Sequence, residues 1–390
     1  MFLAKGGIVK VFMTGVTGFL GGELLVLLSK DERIEKIYCL IRAANDAEAD
    51  KRLEKVFAVH EDYFDRDKII PVVGDLSERA MKDQLKAIQD VDTVIHAAAD
   101  TSFNPSHKEN IWKVNVQGAT NVARWAASLP NLETFVYIGT SWICGYDQPS
   151  RVVRENESPN FTYSQLVDYT KSKTVGEFSI RNTIPAEKLL VVRPSIILGD
   201  SRPWIPRSFV ISWAAAAFDL LRLLAMNPKA TTDIIPIDYA VKAITELLFN
   251  SNRHFSTYHI SSGKESATNM ELLMNAISSN DNTPPFRFVD YDCMKSMRMF
   301  AKGQLVDMSE LKDYSEYLAY WGRTFNGDGS LEKLLWGVNF YYKFVNLDMS
   351  FDNTRLLADT TVGFSEPVHV YMARNKEQLR KINVIGDIDP

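Results

Sequence analysis

Thr14-Gly15-Val16-Thr17-Gly18-Phe19-Leu20-Gly21-Gly22 follows the apolar run Ile8 to Met13 and precedes a helix-like run from Glu23 to Leu28. Strand, glycine-spaced turn and helix in that order form a dinucleotide-binding elbow. Gly15 relieves the sharp turn, Gly18 lets the backbone approach a pyrophosphate, and Gly21 lets helix and strand pack closely. The helix N-terminus, with Thr17, Phe19 and Leu20 around it, then faces the anion.

Outward from the elbow, β-branched or apolar runs recur at Lys36 to Ile41, Lys68 to Val73, Asp92 to His96, Thr134 to Ile138 and Leu189 to Val192, with amphipathic stretches between them. Near-continuous apolar strands alternating with helices predict an α/β fold, a doubly wound parallel Rossmann sheet covered on both faces. The alternation weakens after about Gly199. The expected division is a dinucleotide-binding domain over 8–262, with 200–230 as an insertion walling a pocket, and a smaller, mostly helical substrate domain over 263–390. Within 233–261, Asp238 is placed to cap a helix through Val241 and Ile244. The aromatics that thicken after Gly263, among them Tyr317, Trp321 and Tyr342, read first as core.

Of the 390 residues, 46% are hydrophobic and 24% charged, and the net charge is -5 without blocks of one sign, which excludes an extended electrostatic grip on nucleic acid. Cys39, Cys144 and Cys293 are scattered, which predicts free thiols, no disulfide and no metal site. The lead Met1 to Gly7 is too short for a signal peptide. Asp219 and Arg222 interrupt the apolar stretch 209–226, so no membrane span is expected and the cytoplasm follows.

Where a site for NAD would carry an acidic residue, the end of the second strand carries Arg42, whose planar fork suits a 2′-phosphate; this predicts NADPH. Arg52, ten residues on, is a second contact with that phosphate or a solvated helix-face charge. Asp75, followed by Leu76, can accept a bond from an adenine amino group, and Ala97, Ala98 and Ala99 leave room for ribose and phosphates. Tyr169 and Lys173 stand four apart on one helix face, where an ammonium beside a phenol lowers the phenol's pKa and readies it for proton transfer. Thr140 at the end of the fifth strand is the preferred partner for a reacting carbonyl oxygen, with Ser141 as the fallback. Asn115 organises the backbone or proton path around the lysine, or makes a packing bond.

The elbow, Asn115, Thr140, Tyr169 and Lys173 together resemble an extended short-chain dehydrogenase/reductase. The stretches Cys39 to Ala43, Gly74-Asp75-Leu76, Val192 to Ile197, Asp233 to Tyr239 and Phe351 to Thr354 resemble the thioester reductase domains of carboxylic acid reductases and nonribosomal peptide synthetases, and fatty acyl-CoA reductases. The resemblance is strong through about residue 262. It departs at Gly139-Thr140, where the family has Ser-Thr, and only approximates a Pro-Gly-Trp element at Arg202-Pro203-Trp204-Ile205-Pro206. It implies NADPH-dependent reduction of an acyl thioester of coenzyme A or of a carrier-protein phosphopantetheine, to aldehyde or alcohol, with Pro194 and Ser195 at the nicotinamide end. The alternatives are another extended reductase, epimerase or dehydratase acting on a nucleotide sugar or a steroid- or flavonoid-like carbonyl, and a non-catalytic NADP-binding sensor.

Overall fold

The computed structural model describes residues 8–78, 81, 85–147, 152–202, 209–278, 283–304, 311–325 and 327–387. The lead Met1 to Gly7 and the segment Pro203 to Pro206 lie outside the described residues.

Seven strands form one parallel sheet: β1 (Val9–Thr14), β2 (Ile34–Ile41), β3 (Ile69–Val73), β4 (Thr93–His96), β5 (Thr134–Ile138), β6 (Leu189–Pro194) and β7 (Thr257–Ile260). Their spatial order is β7-β6-β5-β4-β1-β2-β3, with every pair parallel. The order reverses between β1 and β4. Ligands bind at the carboxyl ends of strands beside such a reversal, so the elbow after β1 and the alanines after β4 flank the binding crevice.

The helices around this sheet are α1 (Phe19–Ser29), α2 (Asp46–Ala58), α3 (Ala119–Ala127), α4 (Asp168–Arg181) and α5 (Ile237–Phe249). Asn45 starts α2 by accepting from the Glu48 amide at 3.0 Å, while the Glu48 carboxylate accepts from the Ala44 amide at 2.8 Å. Paired bonds of this kind satisfy amides that a helix start leaves open. Asp238 sits within the first turn of α5, so it acts on the helix dipole from inside the helix and is not its N-cap. Beneath the helices Phe12 packs on Trp125 with ring centroids 4.4 Å apart, and Val94, Val122 and Phe135 are fully buried around them. Each such side chain contributes about 1.5–3 kcal/mol by leaving water.

Strand β7 is an edge, and its outer side is covered. The His259 amide donates to Glu155, its Nδ1 meets the Asp352 carbonyl at 3.0 Å, and Arg355 reaches the Thr257 carbonyl. Ser261 and Asn353 add bonds between the end of β7 and the segment from Phe351. Covering an edge in this way blocks pairing with other chains.

The chain divides into two compact units. The first comprises the described residues of Met1–Ser195, Ile237–Ser261 and Phe351–Phe364; the second those of Ile196–Pro236, Ser262–Ser350 and Ser365–Pro390. This division differs from the expected one: the described residues of 200–230 group with the second unit, and the segment Phe351–Phe364 groups with the first. A contiguous reading missed both exchanges because they rest on contacts between residues far apart in sequence.

The second unit is mostly helical, with helices at Phe209–Leu221, Met270–Ile277, Met294–Ala301, Ser315–Phe325, Ser330–Val345 and Val368–Leu379. Several of its aromatics are core: Trp321 and Tyr342 are fully buried, and Phe218 stacks on Tyr342 at 5.1 Å, while Trp336 is exposed. Arg222 is buried against Asp219 at 2.7 Å, so the charges that interrupt the apolar stretch are satisfied by each other. Among the described residues no helix is long and apolar enough to cross a membrane.

Candidate active site

Gly15 has φ +75°, and a Cβ there would lie 2.5 Å from the Ala98 amide nitrogen. Only glycine fits a turn that must pass this close to the loop after β4. A Cβ on Gly21 would stand 2.1 Å from the Gly15 carbonyl oxygen, so the helix start is locked onto the turn. Gly18 differs: its Cβ would meet only the Gly15 oxygen, at 3.3 Å, and its other side is open. Gly18 is also the N-cap of α1, without a capping side chain and with no acidic residue in the following turn. The first amides of α1, around Phe19 and Leu20, therefore have no side-chain acceptor and suit an anion.

Arg42 is exposed at the end of β2. Arg52 donates to the Arg42 carbonyl and, at 3.1 Å, to the Thr17 hydroxyl, which ties α2 to the elbow. Asp75 accepts from the Ser77 amide and hydroxyl at 2.9 and 2.6 Å. Burial works against its charge, yet those bonds and nearby Arg42 and Lys113 hold its carboxyl below the usual range. The Leu76 carbonyl accepts from Asn121, and the Leu76 side chain fills the space in front of Gly118. Ala97, Ala98 and Ala99 line the opposite lip, half-buried. Thr14 accepts from the Ala98 amide at 3.3 Å and pairs with His96 Nδ1 at 2.8 Å. His96 is a packed residue, held neutral with its pKa lowered to about 3 by burial and then by Lys173. Open glycine, uncapped helix start and exposed Arg42 fit a dinucleotide.

Thr140, Tyr169 and Lys173 converge at the carboxyl end of β5. Thr140 N-caps a short 3-10 turn, Ser141–Cys144, its hydroxyl accepting from the Trp142 amide at 3.4 Å, and stands near enough to the Tyr169 phenol to favour its ionised form. Ser141 is fully buried and donates to the Pro194 carbonyl at 3.2 Å, which turns it away from Tyr169. Ser195 is buried at the end of β6, its amide bonded to the Ile260 carbonyl. The Lys173 ammonium donates to the Ile138 carbonyl at 2.7 Å and lies 4.7 Å from the centre of the Tyr137 ring.

This arrangement corrects the expected titration of Tyr169. Its pKa is pushed up to about 12 by burial, with the Thr140 hydroxyl opposing, because Lys173 points at a carbonyl and a ring and not at the phenol. Lys173 is lowered to about 8 by burial, against which Glu177 acts.

Asn115 is almost fully buried in a π-helical segment, Lys113–Gly118. Its side chain accepts from the Asp100 amide at 2.8 Å and donates to the Asp100 carbonyl at 2.8 Å and Ser172 at 2.9 Å. The amide is thus committed to protein partners, which makes it a brace between the loop after β4 and helix α4; as a direct cofactor contact its side chain has no donor left. One turn beyond Lys173, Glu177 is fully buried and receives Arg193 at 2.6 and 3.0 Å and Arg181 at 2.9 Å. Removing one partner from such a pair leaves an unpaired buried charge and costs about 3–5 kcal/mol. Sequence reading missed this clamp, although Glu177 falls four residues after Lys173 on the same face of α4. It also missed Phe103, whose ring lies 6.1 Å from that of Tyr169.

Fold and site together define an oxidoreductase of the extended short-chain dehydrogenase/reductase class, with a site for a nicotinamide dinucleotide. Within that class the chain belongs to the family described as Male sterility protein, whose family model matches residues 13–244. Fatty acyl-CoA reductase 2 of Mus musculus is 23% identical over 277 residues, covering 60% of this chain and 53% of its own length. The chain therefore spans about half of that relative. Among solved structures, the terminal R domain of the myxalamid PKS-NRPS pathway matches with a TM-score of 0.71 and 20% identity, over 97% of this chain and 92% of its own. The reductase (R) domain of a nonribosomal peptide synthetase from Mycobacterium tuberculosis matches with a TM-score of 0.65 and 19% identity, over 97% and 93%.

Proposed function

We propose that the protein is an NADPH-dependent reductase of acyl thioesters, carried on coenzyme A or on a carrier-protein phosphopantetheine, with Thr140, Tyr169 and Lys173 as its catalytic residues. The observation that carries this reading is that Thr140, Tyr169 and the buried Lys173 come together at the carboxyl edge of the sheet, with the lysine held on the Ile138 carbonyl. The relatives support the substrate class: one is named for fatty acyl-CoA and another is a synthetase reductase domain. Arg42 and Arg52 would hold the 2′-phosphate, Gly18 and the start of α1 the pyrophosphate, and Pro194 and Ser195 the nicotinamide end.

NADPH, when bound, supplies the hydride to the thioester carbon. The Thr140 and Tyr169 hydroxyls donate to the carbonyl oxygen as negative charge gathers on it, and Tyr169 delivers the proton. A phenol raised to about 12 is fully protonated at neutral pH and so is ready to donate. Lys173, held on the Ile138 carbonyl, supplies positive charge at the carboxyl end of the fifth strand and would hold the nicotinamide ribose. The resulting hemithioacetal breaks its carbon–sulfur bond, releasing thiol and aldehyde; alcohol would form instead if the aldehyde stayed in the site for a second hydride from NADPH.

Purified protein with NADPH and a panel of acyl-CoA and carrier-bound thioesters, products identified by mass spectrometry, tests this. Aldehyde or alcohol is expected. Binding of NADPH without turnover of any thioester would refute the reading. Tyr169→Phe is expected to lower kcat by about 10²–10⁴ with NADPH affinity retained.

A further inference from the structure

Lys173 is buried to 3% exposure, and the protein groups that face its ammonium are few. One donor goes to the Ile138 carbonyl. The nearest carboxylate, Glu177, is already engaged by Arg193 and Arg181. What remains is the face of Tyr137 on β5, 4.7 Å away. Tyr137 is fully buried, and its hydroxyl has no hydrogen-bond partner among the described residues. A buried phenol that gains nothing from its hydroxyl is explained by what its ring does. That ring is fixed: His96 stacks against it at 6.1 Å with planes 12° apart, and His96 is itself anchored to Thr14.

We propose that Tyr137 is a positioning residue for the reaction, its ring face holding the Lys173 ammonium against the Ile138 carbonyl at the carboxyl end of β5, on a platform completed by His96. A ring quadrupole attracts a cation most where water is excluded, and here it replaces hydration that burial has removed. The groups bearing on this pair are Tyr169 and Glu177 from α4, His96 from β4, and Arg193 from β6. Imidazolium at His96 would repel the ammonium; burial keeps it neutral. The inference rests on the proposed catalytic role of Lys173, but the Tyr137 contact can be read without turnover.

The test replaces Tyr137 in the full-length chain by Phe and by a series of increasingly fluorinated phenylalanines, which keep the ring and weaken its face. The Lys173 titration midpoint is followed by NMR of isotope-labelled lysine side chains, assigned by its loss in Lys173→Met. Tyr137→Phe is expected to keep the wild-type midpoint, and fluorination to lower it stepwise, by about one pH unit for the most fluorinated ring. The high-pH limb of kcat against a thioester follows it. A midpoint indifferent to fluorination overturns the proposal, as does a midpoint that moves without the kcat limb. A midpoint that moves in a protein reducing no thioester upholds the Tyr137 contact and removes the proposed substrate.

Discussion

Gly176→Ala on α4 separates the stability of the fold from the alignment of its site. A Cβ at this position would stand 2.6 Å from the Asn115 carbonyl oxygen and 3.2 Å from the Tyr137 hydroxyl. The first neighbour is backbone in the π-helical segment and cannot swing aside. Ordinary contact requires the two elements to separate by about 0.8 Å. Overpacking of this kind costs about 1–3 kcal/mol, while alanine recovers about 1 kcal/mol over glycine in a helix, leaving a net loss near 1 kcal/mol. In a chain of 390 residues that lowers Tm by about 1 °C. The same displacement moves Tyr169 and Lys173, and a misplacement near 1 Å can cost about 10²-fold in rate. Thioester reduction and scanning calorimetry, run on wild type and variant, should show a loss of kcat/KM far out of proportion to the small fall in Tm. A variant with unchanged or higher Tm and activity within about twofold of wild type would show that α4 does not depend on this close approach.

Thr140→Val removes the hydroxyl facing Tyr169 and is expected to lower kcat by about 10²–10³, whereas Ser141→Ala, which loses only the bond to Pro194, stays within a few-fold; steady-state kinetics of both decides which hydroxyl acts. Arg42→Ala is expected to weaken NADPH by about tenfold or more and leave NADH nearly unchanged, read by fluorescence titration of both. Lys173 titrates near 8 in the fold against 10.5 for its ordinary value. Between those values the unfolded chain binds more protons, so this lysine's contribution to stability rises with pH across the window and is lost as pH falls through 8. Lys173→Met should flatten that rise in urea midpoints measured from pH 8 to 10; an unaltered slope would place the titration elsewhere.

The elbow and the six strand-like runs were legible because glycine spacing and apolar continuity are local properties of the chain. Tyr169 and Lys173 were legible for the same reason, standing one helical turn apart. Strand β7 was read only as part of a mixed stretch, since its four residues become a strand through pairing with β6 and through cover from residues about a hundred positions later. The direction of the Tyr169 shift was misread because it depends on where the Lys173 ammonium points, and that is set by Ile138 and Tyr137 on another element. Asn115 was legible as an organiser, but its partners Asp100 and Ser172 were not, because a π-helical turn sets its direction.

The covered edge of β7 also orders events during synthesis. Its cover comes from Phe351 to Arg355, and the chain crosses between units at 195, 236, 261, 350 and 364 before the first unit is whole. A nascent chain that has reached residue 262 carries all seven strands, yet its last strand still shows unpaired backbone until the ribosome has added roughly another hundred residues, about 5–20 s of synthesis. A fragment cut at 262 would keep that edge permanently and should associate through it, while rejoining Phe351–Phe364 by a short linker should restore a monodisperse first unit.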